Sequence, residues 1–371
     1  MYKTKVCLIQ ASNQYDVQCN SAIGFGYIKA YAEKVFGDDV TFFCAHNLNE
    51  IINFKPDILG ISCLSQDFEE GMSLARQAQA CGFENIIFGG HHITAFPETL
   101  PNEAVLGVIG EGEKTFTEIL DRFISLGNLS ASTLSSIKGI VYRDNEGKII
   151  KTPCRDEIEN LDDLPMPDRY FGMVQGQSPY IFSSRGCPYR CSFCASSRYW
   201  KGVRYHSAKR VVEEIEDILE KFPNIPRIMF YDDLLAGDKK RLKEIVDIIE
   251  EKEINKRVKF GGSVRANLVN DELCILLKRA GFEFITFGAE SGSEKILKKL
   301  KNDSCGVDIN QRALDTLNKH GLACGLGFVV GHYDEKIEDI LDTYNFILNA
   351  YSERKISSHE INILTPMPGT E

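Results

Sequence analysis

Three cysteines carry the clearest chemistry in the chain. Cys187, Cys191 and Cys194 lie in the run Ser184-Arg185-Gly186-Cys187-Pro188-Tyr189-Arg190-Cys191-Ser192-Phe193-Cys194. Thiolates at this spacing can close round one metal centre from a single loop. Zinc and iron–sulfur sites usually take four protein ligands. Three from one loop leave a position open, and an open position on a redox cluster is where a cofactor can bind and be cleaved. The chain has 12 cysteines, and no second close-spaced set occurs among the rest. Cys7, Cys63, Cys274 and Cys324 sit in apolar contexts and read as buried filler.

The elements around the triplet follow a strand–helix alternation. Strands are expected at Tyr180–Ser184, Arg227–Tyr231, Lys259–Ser263, Phe284–Phe287, Gly325–Val330 and Glu360–Leu364, with helices such as Ala208–Phe222, Lys239–Glu251 and Asp271–Ala280 between them. An eight-fold barrel needs about 250 residues. Residues 180–371 supply 192, which fits an open, partial (β/α)6 TIM barrel. Barrels of this kind do their chemistry at the carboxyl ends of the strands. The six exits hold the cysteine loop, Asp232-Asp233, Ser263 with Arg265, Glu290-Ser291, Gly331 through Glu335, and Thr365. Six polar or ligand-bearing exits in register argue for one shared site. Each alone is as well read as a helix cap or turn residue. The chain stops on the last strand-exit loop, as expected of a fragment or truncation.

Residues 1–126 alternate in the same way. Strands at Lys5–Gln10, Val40–Cys44, Asp57–Ser62, Asn85–Phe88 and Val105–Ile109 are separated by helical segments, among them Ala22–Val35, Phe68–Ala80 and a helix from Lys114 to about Ile124. That pattern is a doubly wound, Rossmann-like parallel sheet, so the whole chain is α/β. Residues 127–179 break the alternation and read as a linker. It carries a hairpin turned at Asp144-Asn145-Glu146-Gly147 and ends near Leu164-Pro165-Met166-Pro167. The barrel domain is then 180–371.

Net charge is −10 at 26% charged residues, which disfavours a general nucleic-acid binder, because neutralising phosphates needs a basic surface. Lys298, Lys299 and Lys301 read as a solvated helix face. No signal peptide is visible, and no apolar run approaches the roughly 20 residues that span a bilayer. A cytoplasmic protein with reduced thiols, and no membrane partner, is expected.

Cys187-x-x-x-Cys191-x-Phe193-Cys194 resembles the cluster motif of the radical S-adenosylmethionine (SAM) enzymes. Gly288-Ala289-Glu290-Ser291 resembles that family's fourth-strand segment. Gly327 to Gly331 followed by Glu335 resembles its fifth, with His332-Tyr333-Asp334 in place of the usual Pro-Gly. Pro366-Met367-Pro368-Gly369-Thr370 matches the sixth-strand exit of one large subgroup. The first half resembles the cobalamin-binding domain of that subgroup at Ser21 to Tyr27 (with Gly24), Ile61 to Ser65 (with Ser62), Gly89-Gly90-His91-His92 and Gly110-Glu111-Gly112-Glu113. Many cobalamin proteins supply a histidine to cobalt after the first strand. Here that loop, Asn13 to Ser21, has none; either Gln14, Gln18 or Cys19 approaches cobalt or the lower face stays vacant or hydrated.

The resemblance implies that the three thiolates hold three irons of a [4Fe-4S] cluster, with SAM on the fourth. An electron from an external one-electron reductant then yields a 5′-deoxyadenosyl radical. It places Phe193 near the adenine. Ser263, Arg265, Glu290, Ser291 and Gly331 fall at the SAM-binding exits; the planar fork of Arg265 suits a carboxylate. Gly24, Ser62, Ser65, Gly89, Gly90, Gly110, Glu111 and Gly112 fall at the corrinoid, and His91 and His92 near its nucleotide tail. The family's commonest outcome with cobalamin is methyl transfer to an unactivated carbon of a small molecule or peptide. Ring closure, contraction or oxidation with the same cofactors is the alternative. A tRNA methylthiotransferase would carry a second three-cysteine cluster. Cys19 and Cys63 could mimic two of those ligands, but the third falls at Gly89-Gly90-His91. A cobalamin carrier or sensor with structural zinc would need a fourth ligand, for which His206 is nearest.

Overall fold

Strands buried on both faces of a parallel sheet read as unbroken apolar runs. The first strand, β1 (Thr4–Gln10), is such a run, with Val6, Cys7, Leu8 and Ile9 at most 3% exposed. The computed structural model describes residues 3–11, 23–173 and 178–370, in two units, Met1–Gln177 and Ser178–Glu371. In the first unit β1 is joined by β2 (Val40–Ala45), β3 (Ile58–Ser62), β4 (Ile86–Gly89) and β5 (Leu106–Val108), all parallel, in the order β2-β1-β3-β4-β5. The order reverses between β1 and β3. Ligands on doubly wound sheets bind at such a switch point, outside the carboxyl ends of the strands.

The hairpin that the sequence sets apart in the linker belongs to this sheet. Its strands, β6 (Ile140–Arg143) and β7 (Ile149–Lys151), extend the sheet antiparallel from β5, with Val108 opposite Ile140 and Leu106 opposite Tyr142. Ile140, Val141 and Tyr142 are all buried. Three consecutive buried residues need cover on both faces: Val141 packs into one apolar cluster of the unit, Ile140 and Tyr142 into the other.

The second unit begins with the short strand β8 (Tyr180–Ile181) and a two-stranded antiparallel ribbon, β9 (Ser184–Arg185) with β10 (Arg204–Tyr205). Then come β11 (Arg227–Phe230), β12 (Lys259–Val264), β13 (Phe282–Glu290), β14 (Ala323–Val330) and β15 (Ser358–Ile363). The order β15-β14-β13-β12-β11-β8 is parallel throughout and open. Six sequential parallel strands joined by five helical crossovers make a partial barrel that does not close among the described residues.

Helix Ala208–Lys221 shows why the crossovers dock. Val211, Val212, Ile215, Ile218 and Leu219 recur at helical spacing and are all buried, and Ser207 Oγ caps the helix by accepting from Arg210 N at 3.1 Å. Such a cap contributes about 1 kcal/mol. Under the strands, Phe230, Phe260 and Phe282 form a ring cluster with centroids 5.4–5.7 Å apart. Fully burying each such ring is worth about 1.5–3 kcal/mol. These packed layers fix the strand exits that carry the site.

Candidate functional site

The cysteine loop leaves β9 through Gly186, whose φ is +95°. A Cβ there would lie 2.2 Å from the Gly202 carbonyl oxygen and 3.1 Å from Trp200 Cβ, so only glycine fits. At its far side the loop is pinned by Ser192, whose N donates to Leu300 O at 3.0 Å and whose Oγ donates to Lys299 O at 3.1 Å. Those carbonyls sit at the C-terminal end of helix Glu294–Lys301. Cys191 is buried; Cys187 and Cys194 are half-buried, as is Phe193. Burial pushes the Cys187 thiol above its ordinary value. The Tyr189 amide N–H pulls it back, while Asp233, Cys191 and Cys194 push it up. Among the described residues no three His, Cys, Asp or Glu side chains gather closely enough to hold a metal as they stand. The donor set still fits an iron–sulfur cluster. Three soft sulfurs share one loop fixed at both ends, and a bound cation reverses the charge repulsion between them.

The neighbouring exits are knitted to this loop. Arg265, just past β12, is 6% exposed. Its Nη1 donates to Cys191 Sγ at 3.1 Å, its Nη2 to Ser304 Oγ at 2.7 Å and to Lys301 O at 3.3 Å, and its guanidinium lies 3.9 Å from the Tyr189 ring centroid. Ser263 shares a hydrogen bond with Thr286 across β12 and β13 at 2.7 Å. Glu290 ends β13 at φ +61° and pairs with Lys301 Nζ at 2.8 Å, both buried; Lys301 Nζ also donates to Gly288 O at 2.6 Å. Ser291, 1% exposed, bonds Thr343 Oγ1 at 3.2 Å and accepts from Ser293 N at 3.1 Å. Gly331, at φ +94°, donates its N–H to Glu335. So Cys191 and Arg265 meet directly, and Glu290 is linked to them through Lys301. Ser263, Ser291 and Gly331 stand at their own exits with local partners.

In the first unit, an apolar cleft of about 180 Å³ opens at the β1/β3 switch point. Gly24, Ser62, Gly89, Gly90, Gly110 and Gly112 line it, six of the expected residues. A Cβ at Gly24, Gly89 or Gly110 would meet nothing within 4 Å. These glycines hold open space that side chains would fill, which fits a bulky ligand lying against backbone. Gly90, at φ +92°, is needed for its turn as well: a Cβ would fall 2.6 Å from Cys63 O. Ser65 and His92 are bound to each other instead, Oγ to Nδ1 at 3.1 Å; His92 also bonds Thr99 Oγ1 at 3.1 Å and stacks on Phe68 at 3.8 Å. Glu111 accepts from Ile158 N at 2.7 Å, and His91 is exposed. The loop carrying Gln14, Gln18 and Cys19 lies outside the described residues.

Two features were missed in the sequence, and Asp232, expected at the second exit, takes a role the sequence did not show. Lys301 is not part of a solvated face: it is 6% exposed on the same stripe as Ile296, Leu297 and Leu300. The four-residue spacing from Leu297 was the available signal. Ser304 and Tyr189, which hold Arg265, had no signal of their own. Asp232 is a strut between exits. It accepts from Ser183 N at 3.2 Å, Ser183 Oγ at 2.9 Å and Ser184 Oγ, and burial pushes its carboxyl up against those bonds. His206, the candidate zinc ligand, is 2% exposed, and its carbonyl accepts from Arg241 Nε at 2.6 Å.

Residues 181–347 match the radical SAM superfamily and residues 17–120 match the B12 binding domain. A protein of Pyrococcus horikoshii named as an uncharacterized methyltransferase is 33% identical over 355 residues, covering 90% of this chain and 72% of that one. The anaerobic magnesium-protoporphyrin IX monomethyl ester cyclase of Rubrivivax gelatinosus is 26% identical over 341 residues, covering 86% of this chain and 60% of that one. The chain therefore spans only part of the length of these relatives. Among solved structures, the radical S-adenosylmethionine methyltransferase TsrM of Kitasatospora setae, with cobalamin and a [4Fe-4S] cluster bound, superposes with a TM-score of 0.79 at 15% identity, over 99% of this chain and 73% of that one. That likeness establishes the fold. The open parallel barrel with its cysteine loop, the switch-point cleft and these matches together show that the chain belongs to the radical SAM superfamily, in the group whose barrel follows a B12-binding domain.

Proposed function

We propose that this protein is a cobalamin-dependent radical SAM methyltransferase that acts on an unactivated carbon of a small molecule or peptide. The observation that carries the reading is the 33% identity to a methyltransferase-named relative across 90% of the chain, through both domains. Cys187, Cys191 and Cys194 would hold a [4Fe-4S] cluster. Phe193, Ser263, Glu290, Ser291 and Gly331 would form the SAM pocket. The cleft glycines and Ser62 would bear the corrinoid. Bound there, these groups supply one-electron cleavage of SAM and methyl transfer, and the protein positions them. The chain's own contribution is a rigid set of exits. Gly186 fixes the start of the cysteine loop, the Ser192 hydrogen bonds fix its far side, and Glu290 is held by Lys301. The net charge of −10 disfavours a nucleic-acid substrate.

Ring closure or oxidation with the same cofactors is a second reading, favoured by the 26% identity to the Rubrivivax cyclase. Anaerobic incubation with SAM, cobalamin, a one-electron reductant and candidate substrates separates the two. Methyl transfer yields both 5′-deoxyadenosine and S-adenosylhomocysteine. 5′-Deoxyadenosine alone would exclude it and leave the cyclase type. Zinc without iron in anaerobically purified protein would sink both.

A further inference from the structure

Arg265 is a buried cation in search of a counter-charge. It is 6% exposed, and a buried charge costs several kcal/mol unless paired. Among the described residues no carboxylate pairs with it: Ser304 and Lys301 offer it neutral oxygens, and Tyr189 offers a ring face. The hydrogen-bonded partner that can carry a full negative charge is Cys191 Sγ, 3.1 Å from Nη1. Both N–H groups of Nη2 are committed, as is one of Nη1, and Nε is buried without a partner. A carboxylate taken bidentately needs two donors on one edge of the guanidinium, and every edge includes a committed Nη. Holding a SAM carboxylate that way would mean breaking a bond already made.

We propose that Arg265 is a positioning residue for the cluster rather than a clamp for SAM: it donates to the Cys191 thiolate and sets the reduction potential of the iron–sulfur centre. The inference rests on the cluster assignment of the proposed function. Reduction adds one electron, supplied by the external reductant, and so makes the cluster more negative. A cation and a hydrogen bond at a ligand sulfur stabilise that state and raise the potential. Ser304 and the Lys301 carbonyl keep the fork aimed at the sulfur. Because Lys301 also holds Glu290, the aim of Arg265 and the β13 exit share one support.

The test uses the full chain, reconstituted anaerobically with iron and sulfide, as wild type, Arg265→Met, Arg265→Lys and Ser304→Ala. Iron and sulfide content, the midpoint potential from EPR-monitored titration, and SAM affinity from equilibrium dialysis are measured. The expected result is a midpoint shifted to more negative potential, most in Arg265→Met and less in the other two. SAM affinity in Arg265→Met should stay within about threefold of wild type, under the 1.4 kcal/mol that a tenfold change represents. An unchanged midpoint with SAM bound more than about tenfold more weakly would overturn the proposal and make Arg265 a SAM clamp. Midpoint and affinity both unchanged would leave it a packing residue and equally overturn the proposal. If Arg265→Met does not fold, Arg265→Lys and Ser304→Ala decide: no midpoint shift in either overturns it. Wild type that takes up no cluster would refute the proposed function itself, an outcome distinct from all of these.

Discussion

Glu290 and Lys301 show how much a single residue's partner decides. The side chains are about 10% and 6% exposed and 2.8 Å apart. Removing one partner of a buried pair strands the other, at a cost of about 3–5 kcal/mol, whereas neutralising both is far milder. Lys301→Met should therefore lower the urea-unfolding free energy by about that amount. Lys301→Met combined with Glu290→Gln should recover most of it, and a double variant no better than the single would show that the pair is not coupled. Glu290 was legible in sequence as a motif residue. Lys301 was not, because lysine on a helix is usually solvated and only the stripe shared with Leu297 marked it as buried. Gly90 was legible only as a strand-exit glycine and Gly186 was not singled out, since a glycine's necessity depends on which backbone approaches it.

At the level of elements, the strand exits of the first unit separate fold from binding. Gly89 ends β4 with open space beside it and a φ outside the left-handed region. Gly89→Leu should keep the sheet intact by circular dichroism yet weaken cobalamin uptake, read from the corrinoid absorbance retained after gel filtration; undiminished uptake would remove this cleft from the site. The short helix His91–Ala95 behaves differently. Burial holds His92 below its ordinary value of 6.5, with Glu98 pulling the other way. The unfolded chain takes a proton as pH falls through 6.5, while the folded ring resists it. The contribution of His92 is thus complete above that pH and is lost below it, at up to about 1.4 kcal/mol per pH unit. Hydrogen exchange across residues 86–108 should accelerate between pH 7 and pH 5, after correction for intrinsic rates, and His92→Gln should flatten that dependence. The histidine pair was read as a ligand contact. The burial of His92 against Phe68 and Ser65 involves partners distant in sequence, which periodicity does not disclose.

On the scale of the whole molecule, the alternation of strand and helix was enough to read two parallel sheets. Apolar runs of four to six residues are the direct imprint of burial on both faces. The hairpin's attachment to β5 was not readable, because an antiparallel neighbour leaves no mark on the strand that receives it. Charge is a property of the whole chain and makes its own prediction. With a net charge of −10, filter binding should detect no retention of tRNA at physiological salt; salt-sensitive retention would revive the methylthiotransferase reading.

The chain contains one tryptophan, Trp200. It lies where the backbone passes Gly186, at the root of the cysteine loop, with Arg204 5.2 Å from its ring. An iron–sulfur chromophore absorbs across the range in which indole emits. The protein thus carries a built-in optical gauge for its own maturation. Loss of emission as iron enters would report filling of the loop in real time, with no substrate, no turnover and no added label.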